Sequence, residues 1–517
     1  PQFCLNYSTY AQLHTIYSVT HAMIIAEGIQ MIADSFEMKS IEKQSGHRTS
    51  VLMKMAAEAI AAQLQIDTVK TDRILIIAGK GNNGGDGLSV CRLLKDRKCK
   101  VYLAEGKPAG KESLEAFCKL SPSVFIQNSG IRKAIDEADV IIDAVYGFGY
   151  HGSLNPEIKK LFKYINAANA KVISIDINSG CEADSGHCDS AAIHSDITYA
   201  LDCLKPFHLL QKDHQLFDSV CCLDLHLPHP EYTKWHEMDE DRFFLNFPQR
   251  KSNAYKGSNG KTLLIGGSGG MAGALGLNII GAKTVGTAYL QAALPEEIYP
   301  ILASRFLTTV FHPFTDKTYR NVLEPLVTEA SAVGFGSGAV YMPHVSDCLD
   351  LVLQNSSSPI VLDAEALRLL KHNTYILRFA KAPVILTPHI GEFADLINQP
   401  AETIMDHKVE AVRQFARDYK VIVCLKGPHT VVASPAGDCY INQTGNQALA
   451  TAGSGDLLTG IMTGILSLTR DVYTAAIMAV WLHGYLADLG TINHCMQTFD
   501  LESYPSLMNA LFTRHNY

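Results

Sequence analysis

The apolar run Ile74-Leu75-Ile76-Ile77-Ala78 breaks into Gly79-Lys80-Gly81-Asn82-Asn83-Gly84-Gly85-Asp86-Gly87, and Leu88, Val90, Cys91, Leu93 and Leu94 follow at helical spacing. A short β-branched run reads as a buried strand, the glycines as a tight turn and the spaced apolar residues as a helix. Strand, turn and helix in that order leave few folds open, because the next strand must return parallel to the first through a crossover. The unit recurs, with strands expected at 74–78, 101–104, 140–144, 172–177 and 220–225, then at 262–265, 331–335, 359–363, 383–387 and 421–425. Long helices are expected at 456–468 and 472–489. The alternation predicts α/β architecture, parallel sheets with helices on both faces.

A chain of 517 residues is too long for one core. Pro228, Pro230 and the acidic cluster Asp239-Glu240-Asp241 place a linker between two α/β domains, at 31–228 and 240–510. With 47% hydrophobic and 19% charged residues, the composition is that of a soluble globular protein. A formal charge of -8 argues against a nucleic-acid partner. The 13 cysteines contain no C-x-x-C, and Cys181 and Cys188 are loosely spaced, so reduced thiols in a cytoplasmic protein are expected. The apolar stretch from Met271 to Leu294 carries Lys283 and several glycines and reads as a core helix, not a membrane span. Residues 1–30 show no basic region ahead of an apolar core, so no secretory signal is expected in them.

Gly79 to Gly87 formally contains the dinucleotide fingerprint, with Glu105 about 20 residues on, so a nicotinamide-dependent dehydrogenase competes. Against it, Asn82, Asn83 and Asp86 occupy a turn where a pyrophosphate needs bare backbone; such groups suit a monovalent cation and ligand hydroxyls. Asp143-Ala144-Val145-Tyr146-Gly147-Phe148-Gly149 and Asp176-Ile177-Asn178-Ser179-Gly180 each put an Asp at the carboxyl end of a strand, where open α/β sheets bind ligands.

In the second half, Asn442-Gln443-Thr444-Gly445-Asn446 is followed by Thr451-Ala452-Gly453-Ser454-Gly455-Asp456-Leu457-Leu458-Thr459-Gly460. Gly453 and Gly455 let backbone amides face an anion at the positive end of a helix dipole. A carboxylate there repels phosphate, but Asp456 suits a site that removes a proton from a hydroxyl attacking phosphorus. The plainer reading is a glycine turn with an Asp near an N-cap.

The strings GNNGGDG, D-A-x-x-G-x-G and D-I-x-S-G, in this order on successive strands, resemble the epimerase domain of the bifunctional NAD(P)H-hydrate repair enzymes. The resemblance implies that Asn82, Asn83, Gly84, Gly85 and Asp86, with Gly147, Phe148 and Gly149, line the hydrated nicotinamide nucleotide. It also implies that Asn83, Asp143 and Ser179 surround a potassium ion, and that Asp176 is the acid/base that interconverts the R and S hydrates. Met53-Lys54-Met55-Ala56-Ala57 stands for the family's Met-Glu-Asn-Ala-Gly, removing two polar groups expected to face the site, and Asn178 stands for a proline.

Lys256-Gly257, Gly266 to Gly273, Leu362 to Leu367, Thr387-Pro388-His389-Ile390-Gly391-Glu392 and Leu425-Lys426-Gly427-Pro428-His429-Thr430 resemble, in order and spacing, the dehydratase domain of the same enzymes. That likeness implies nucleotide binding by Lys426, Gly427, Pro428, His429, Thr430, Gly453 and Gly455, with Mg2+ accompanying ADP or ATP and ADP favoured. It implies contacts from Ala272, Gly336, His389 and Asp456 to the hydrated cofactor, with Asp456 catalytic. Gly334-Phe335-Gly336-Ser337-Gly338 stands for G-P-G-L-G, Ile390 for a proline and Tyr255 for a histidine.

The expected fold class is therefore an N-terminal Rossmann-like three-layer sandwich followed by a ribokinase-like one. The expected partners are the hydrated cofactors and ADP or ATP, with no membrane and a homo-oligomeric state. A ribokinase-type kinase fused to a nucleotide-binding domain without epimerase activity is the main alternative.

Overall fold

The structure, a computed structural model, describes residues 31–210, 216–250, 260–492 and 495–515. Residues 1–30 and the segment containing Tyr255, Lys256 and Gly257 lie outside the described residues. The chain divides between Thr233 and Lys234 into two compact units.

Among its described residues the first unit holds six strands: β1 (Arg73–Ala78), β2 (Lys98–Leu103), β3 (Val140–Ala144), β4 (Lys171–Ile175), β5 (Ser195–Leu201) and β6 (Phe217–Leu223). Their order is β2-β1-β3-β4-β5-β6, every neighbour parallel. Alternation along β1 explains the three layers. Ile74, Ile76 and Ala78 pack with Ile60 and Leu64 of the helix Thr49–Asp67, while Leu75 and Ile77 pack with Ile158, Phe162 and Ile165 on the other face. The chain leaves β1 toward opposite sides for β2 and β3, so the crevice between the carboxyl ends of β1 and β3 is the topological switch point where such sheets take ligands.

The second unit carries β7 (Trp235–His236), β8 (Lys261–Ile265), β9 (Tyr289–Pro295), β10 (Val310–Phe314), β11 (Ala332–Phe335), β12 (Ile360–Leu362), β13 (Val384–Leu386), β14 (Ile422–Leu425), β15 (Val431–Ala433) and β16 (Cys439–Ile441). The sheet order is β10-β9-β8-β11-β12-β13-β14-β15-β16-β7. It is parallel from β10 to β14; β15 then runs antiparallel to both β14 and β16, a departure from the all-parallel expectation. The helices Ala272–Thr284 and Ser454–Leu468 press together through Gly281 and Gly460, whose missing Cβ atoms let the two backbones touch. The switch point lies between β8 and β11.

Two expectations are corrected. Met271 to Leu294 is not one helix: the chain turns at Val285-Gly286, with Gly286 at φ 76°, and continues as β9. Cys181 and Cys188 are not both free thiols. An antiparallel bridge brings their Cα atoms to 4.0 Å and the two sulfurs are paired as a disulfide. The helix Val472–Thr491 is long and apolar enough to cross a membrane, yet 67% of its apolar window is buried inside the unit, as expected of a core helix.

Candidate active sites

In the first unit a cavity of about 580 Å³ opens at the switch point. The turn after β1 contributes Asn82, Asn83 and Asp86, the loop after β3 contributes Gly147, Phe148 and Gly149, and Asp176 stands at the end of β4. Gly84 and Gly85 face inward instead. A Cβ at 84 would overlap the Gly79 carbonyl, so packing requires glycine there, whereas one at 85 would meet the end of the Met53 side chain and Ser113 Oγ. Asp176 adopts φ 66°, turning its carboxylate toward the loop after β3. There Oδ2 accepts from Phe148 N at 2.8 Å, while Oδ1 meets Lys205 Nζ at 2.6 Å. The Lys205 ammonium also donates to the Leu201 and Cys203 carbonyls, and charge pairing raises its pKa although burial opposes this. His208 Nε2 lies 2.8 Å from the Asp176 carbonyl oxygen and Nδ1 accepts from Lys205 N, and burial pushes the ring down to about 3, so it is neutral.

Three further carboxyls, Glu42, Asp86 and Glu105, line the cavity. Burial, then the Asp176 charge, holds Asp86 well above the usual carboxylate range, and the same causes raise Glu42. Below the cavity floor, Asp143 is fully buried and accepts from Ser179 Oγ at 2.6 Å, Ser179 N at 2.9 Å, Ser174 Oγ at 3.0 Å and Val145 N at 3.2 Å. Burial raises its pKa despite these donors. Asn83 Nδ2 donates to the Ile175 carbonyl, and its buried Oδ1 has no hydrogen-bond partner.

The departures on the first helix are corrected by the structure. The cavity is lined from Thr49–Asp67 by Thr49, Leu52, Met53 and Ala56, one helical face. Lys54 instead pairs with Glu58 at the surface, and Met55 packs into the apolar cluster of Met38, Leu225 and Leu227 that walls the cavity, so neither altered position itself lines it. Asn178 is a fully buried junction. Its amide donates to the Ile193 and Leu216 carbonyls and to Ser195 Oγ, and its Oδ1 accepts from Thr198 Oγ1 at 2.6 Å, binding the ends of β4, β5 and β6 together.

In the second unit Asp456 lies in the first turn of Ser454–Leu468, behind Gly453 at φ 92°. Its amide belongs to the set that a helix start leaves without an intrahelical acceptor. Asn278 Nδ2 donates to the Asp456 carbonyl at 2.6 Å and to Ser337 Oγ at 3.0 Å, and Ser337 hydrogen-bonds the Asp456 carboxylate. Burial first, then the negative charge of Asp363, pushes the Asp456 carboxyl up to about 6 against that hydrogen bond and the Lys426 charge. Lys426, at the end of β14, meets Asp363 Oδ1 at 2.6 Å, and Thr459 Oγ1 holds Oδ2 at 2.9 Å. A Cβ on Gly455 would lie 3.1 Å from Lys426 Nζ, so glycine brings the helix start against the ammonium. Gly336, at φ 121°, abuts the Asp363 carbonyl for the same steric reason.

The remaining expected residues frame this centre. Ala272 opens the helix Ala272–Thr284 beside the switch point. The loop Gly427–Thr430 is closed by Thr430 Oγ1 on the Gly427 carbonyl, and Lys408 Nζ holds the Pro428 and His429 carbonyls at 2.9 and 2.8 Å. His389 is the N-cap of Ile390–Ile397: Nδ1 accepts from Gly391 N and Glu392 N, and Nε2 lies 3.6 Å from Glu392 Oε1. Lys205, Glu42, Asp363, Ser337, Asn278, Glu392 and Lys408 were not among the expected site residues. Lys205 and Asp363 follow the rule already used, polar groups just past the carboxyl ends of parallel strands.

Two family models match: one described as NAD(P)H-hydrate dehydratase over residues 262–504, and one described as YjeF-related protein N-terminus over residues 49–207. The chain is 32% identical over 445 residues to a bifunctional NAD(P)H-hydrate repair enzyme of Moorella thermoacetica, covering 81% of this chain and 83% of that one. It is 30% identical over 433 residues to the Escherichia coli protein of that name, covering 80% of each. Among solved structures, an ADP/ATP-dependent NAD(P)H-hydrate dehydratase from Bacillus subtilis, co-crystallised with ATP and Mg2+, is 31% identical with a TM-score of 0.48, covering 53% of this chain and 97% of that one.

Proposed function

The chain belongs to the bifunctional NAD(P)H-hydrate repair enzymes, and we propose that the two sites described above carry its two reactions. It is an isomerase and a lyase in one polypeptide: it interconverts the R and S hydrates of NADH and NADPH and dehydrates the S form with consumption of a nucleotide. The kinase alternative accounts only for the second unit, whereas the relatives align across both.

The single observation behind the dehydratase assignment is Asp456, a carboxyl pushed up to about 6 in the first turn of a helix and beside Lys426. A base with that pKa is mostly ionised at neutral pH yet basic enough to take a proton as bond formation makes it acidic. Asp456 takes the proton of the substrate hydroxyl as its oxygen attacks the terminal phosphate of ADP or ATP. Amides at Gly453, Ser454 and Gly455 together with the Lys426 ammonium stabilise the transferring phosphoryl group, a contribution commonly worth about 100- to 1000-fold in rate. The C–O bond of the phosphate ester then breaks with the help of the ring nitrogen's lone pair, and phosphate departs, a far better leaving group than hydroxide. The neighbouring ring carbon gives up a proton to water or to the departing phosphate as the double bond forms. Mg2+ bound with the nucleotide supplies further charge neutralisation.

In the first unit, a hydroxyl on the carbon beside the ring nitrogen leaves as water when protonated and returns to the opposite face, so one acid and one base suffice. Asp86, whose carboxyl burial holds well above the usual carboxylate range, serves as the acid, and Asp176, paired with Lys205, as the base. The orphaned Asn83 Oδ1, the buried Asp143 carboxylate and Ser179 suit a potassium ion, which would balance the buried charge and fix the turn. Gly147, Phe148 and Gly149 present backbone to the ligand. A cytoplasmic homo-oligomer fits these substrates and the family.

The test incubates separated R and S hydrates with the protein and ADP or ATP in parallel, following near-ultraviolet absorbance of reduced nicotinamide and free phosphate together. One phosphate per restored cofactor is expected. Nucleotide consumption without cofactor recovery would defeat the assignment in favour of a kinase.

A further inference from the structure

At the far wall of the first unit, Asp202 follows β5 directly and takes φ 63°. Adjacent side chains on a strand point to opposite faces; the left-handed turn at 202 cancels that alternation. As a result Asp202 Oδ2 and Cys203 Sγ lie 3.7 Å apart, and His229, from the segment after β6, brings Nε2 to 2.8 Å from the carboxylate oxygen and 3.8 Å from the sulfur.

An Asp–His hydrogen bond alone would leave the sulfur unexplained. A nucleophilic relay does not fit either, because it needs the two different ring nitrogens of the histidine, whereas here one nitrogen faces both partners. Three donor atoms converging on one point are instead what a cation requires. We propose that Asp202, Cys203 and His229 form a binding site for a thiophilic divalent metal of the zinc class. Bonds of about 2.0 Å to nitrogen and oxygen and about 2.3 Å to sulfur set tetrahedral ligand separations near 3.3 and 3.5 Å. The observed separations differ from these by about half an ångström or less.

The surroundings support three protein ligands and one open position. Asp202 Oδ1 is already held by Leu225 N, which leaves Oδ2 directed at the cluster. The Asp202 and Cys203 side chains are buried, whereas the His229 side chain is 34% exposed, so the metal and a water ligand enter past the imidazole. The metal ties the end of β5 to the segment beyond β6, both of which supply apolar wall to the cavity through Leu201, Leu225 and Leu227. The Cys203 carbonyl also accepts from the Lys205 ammonium that pairs with Asp176, so the metal steadies a support of that ion pair.

The experiment uses the full chain, reduced with a phosphine, stripped by chelator and titrated with Co2+. One equivalent should bind with a thiolate-to-cobalt charge-transfer band, and Zn2+ should displace it. Cys203→Ser should abolish the band, and His229→Ala should weaken binding about tenfold or more. Cys222→Ser, a nearby thiol outside the triad, should leave the band intact. A cooperative unfolding transition of the first unit, retained in each variant, shows that this unit still folds. Absence of the band, its survival in Cys203→Ser, or its loss in Cys222→Ser would overturn the site.

Discussion

Replacing Asp456 with asparagine should make the protein more stable while removing its dehydratase activity. The carboxyl rises from 3.8 to about 6 because burial and the Asp363 charge outweigh the Ser337 hydrogen bond and Lys426. A group whose folded pKa exceeds its unfolded value favours the native state fully below the unfolded pKa. That contribution is lost as pH rises through the folded value, so the penalty is complete above about pH 6. Roughly two units at about 1.4 kcal/mol each set a ceiling of about 3 kcal/mol. Partial solvent contact screens the charge, so about 1 to 2 kcal/mol is expected. Asp456→Asn keeps the shape and can still bond Ser337, without the charge. Calorimetry of the full chain at pH 8 should show the transition of the second unit raised by about 3 °C, a gap that closes as pH falls toward about 4. Turnover of the S hydrate should fall about 100-fold or more. A variant no more stable than the parent at pH 8, or one that keeps its turnover, would refute this reasoning.

Further outcomes follow from the same geometry. Lys205→Ala leaves Asp176 as an uncompensated buried charge, so the first unit should lose about 3 to 5 kcal/mol and hydrate interconversion should stop, read by denaturant unfolding and by chromatography of the two epimers. Asn178→Ala strips partners from Thr198 and two buried carbonyls and should cost roughly 3 kcal/mol in the same unfolding assay, with dehydration of the S form unchanged. The kcat/KM for dehydration should fall tenfold per unit below about pH 6. In Ser337→Ala that acid limb should move to higher pH, because the lost hydrogen bond favours the ionised carboxylate.

What the sequence reveals here, and what it hides, follows from the range of the interactions. Runs such as Ile74–Ala78 and Val140–Ala144 are buried on both faces, so their apolar, β-branched character marks them as strands without help from the fold. β5 mixes Ser195, Asp196 and Thr198 with apolar residues because its polar side chains serve Asn178 and the surface, and it escapes such a reading. β9 is hidden inside an apolar stretch whose helix-to-strand switch rests on the single turn at Gly286. Asp456, Asp176 and the glycine turns are local patterns and stand out. The ion pairs Asp176–Lys205 and Asp363–Lys426 join residues far apart in the chain, and no spacing announces them. Positions 54 and 55 show the converse: helical phase sends Lys54 to the surface and Met55 into the apolar wall behind the cavity, which the sequence alone does not distinguish.

The account rests on two separate chemistries, one in each unit, with Asp176 serving interconversion and Asp456 serving dehydration. The most direct test gives pure R hydrate and pure S hydrate, with nucleotide, to Asp176→Asn and Asp456→Asn, and follows both epimers and the reduced cofactor. Asp176→Asn should convert S to reduced cofactor at the parental rate and use R no faster than its spontaneous epimerisation allows; Asp456→Asn should equilibrate R with S and regenerate nothing. Enzymatic consumption of R by the first variant, or cofactor recovery by the second, would contradict the account.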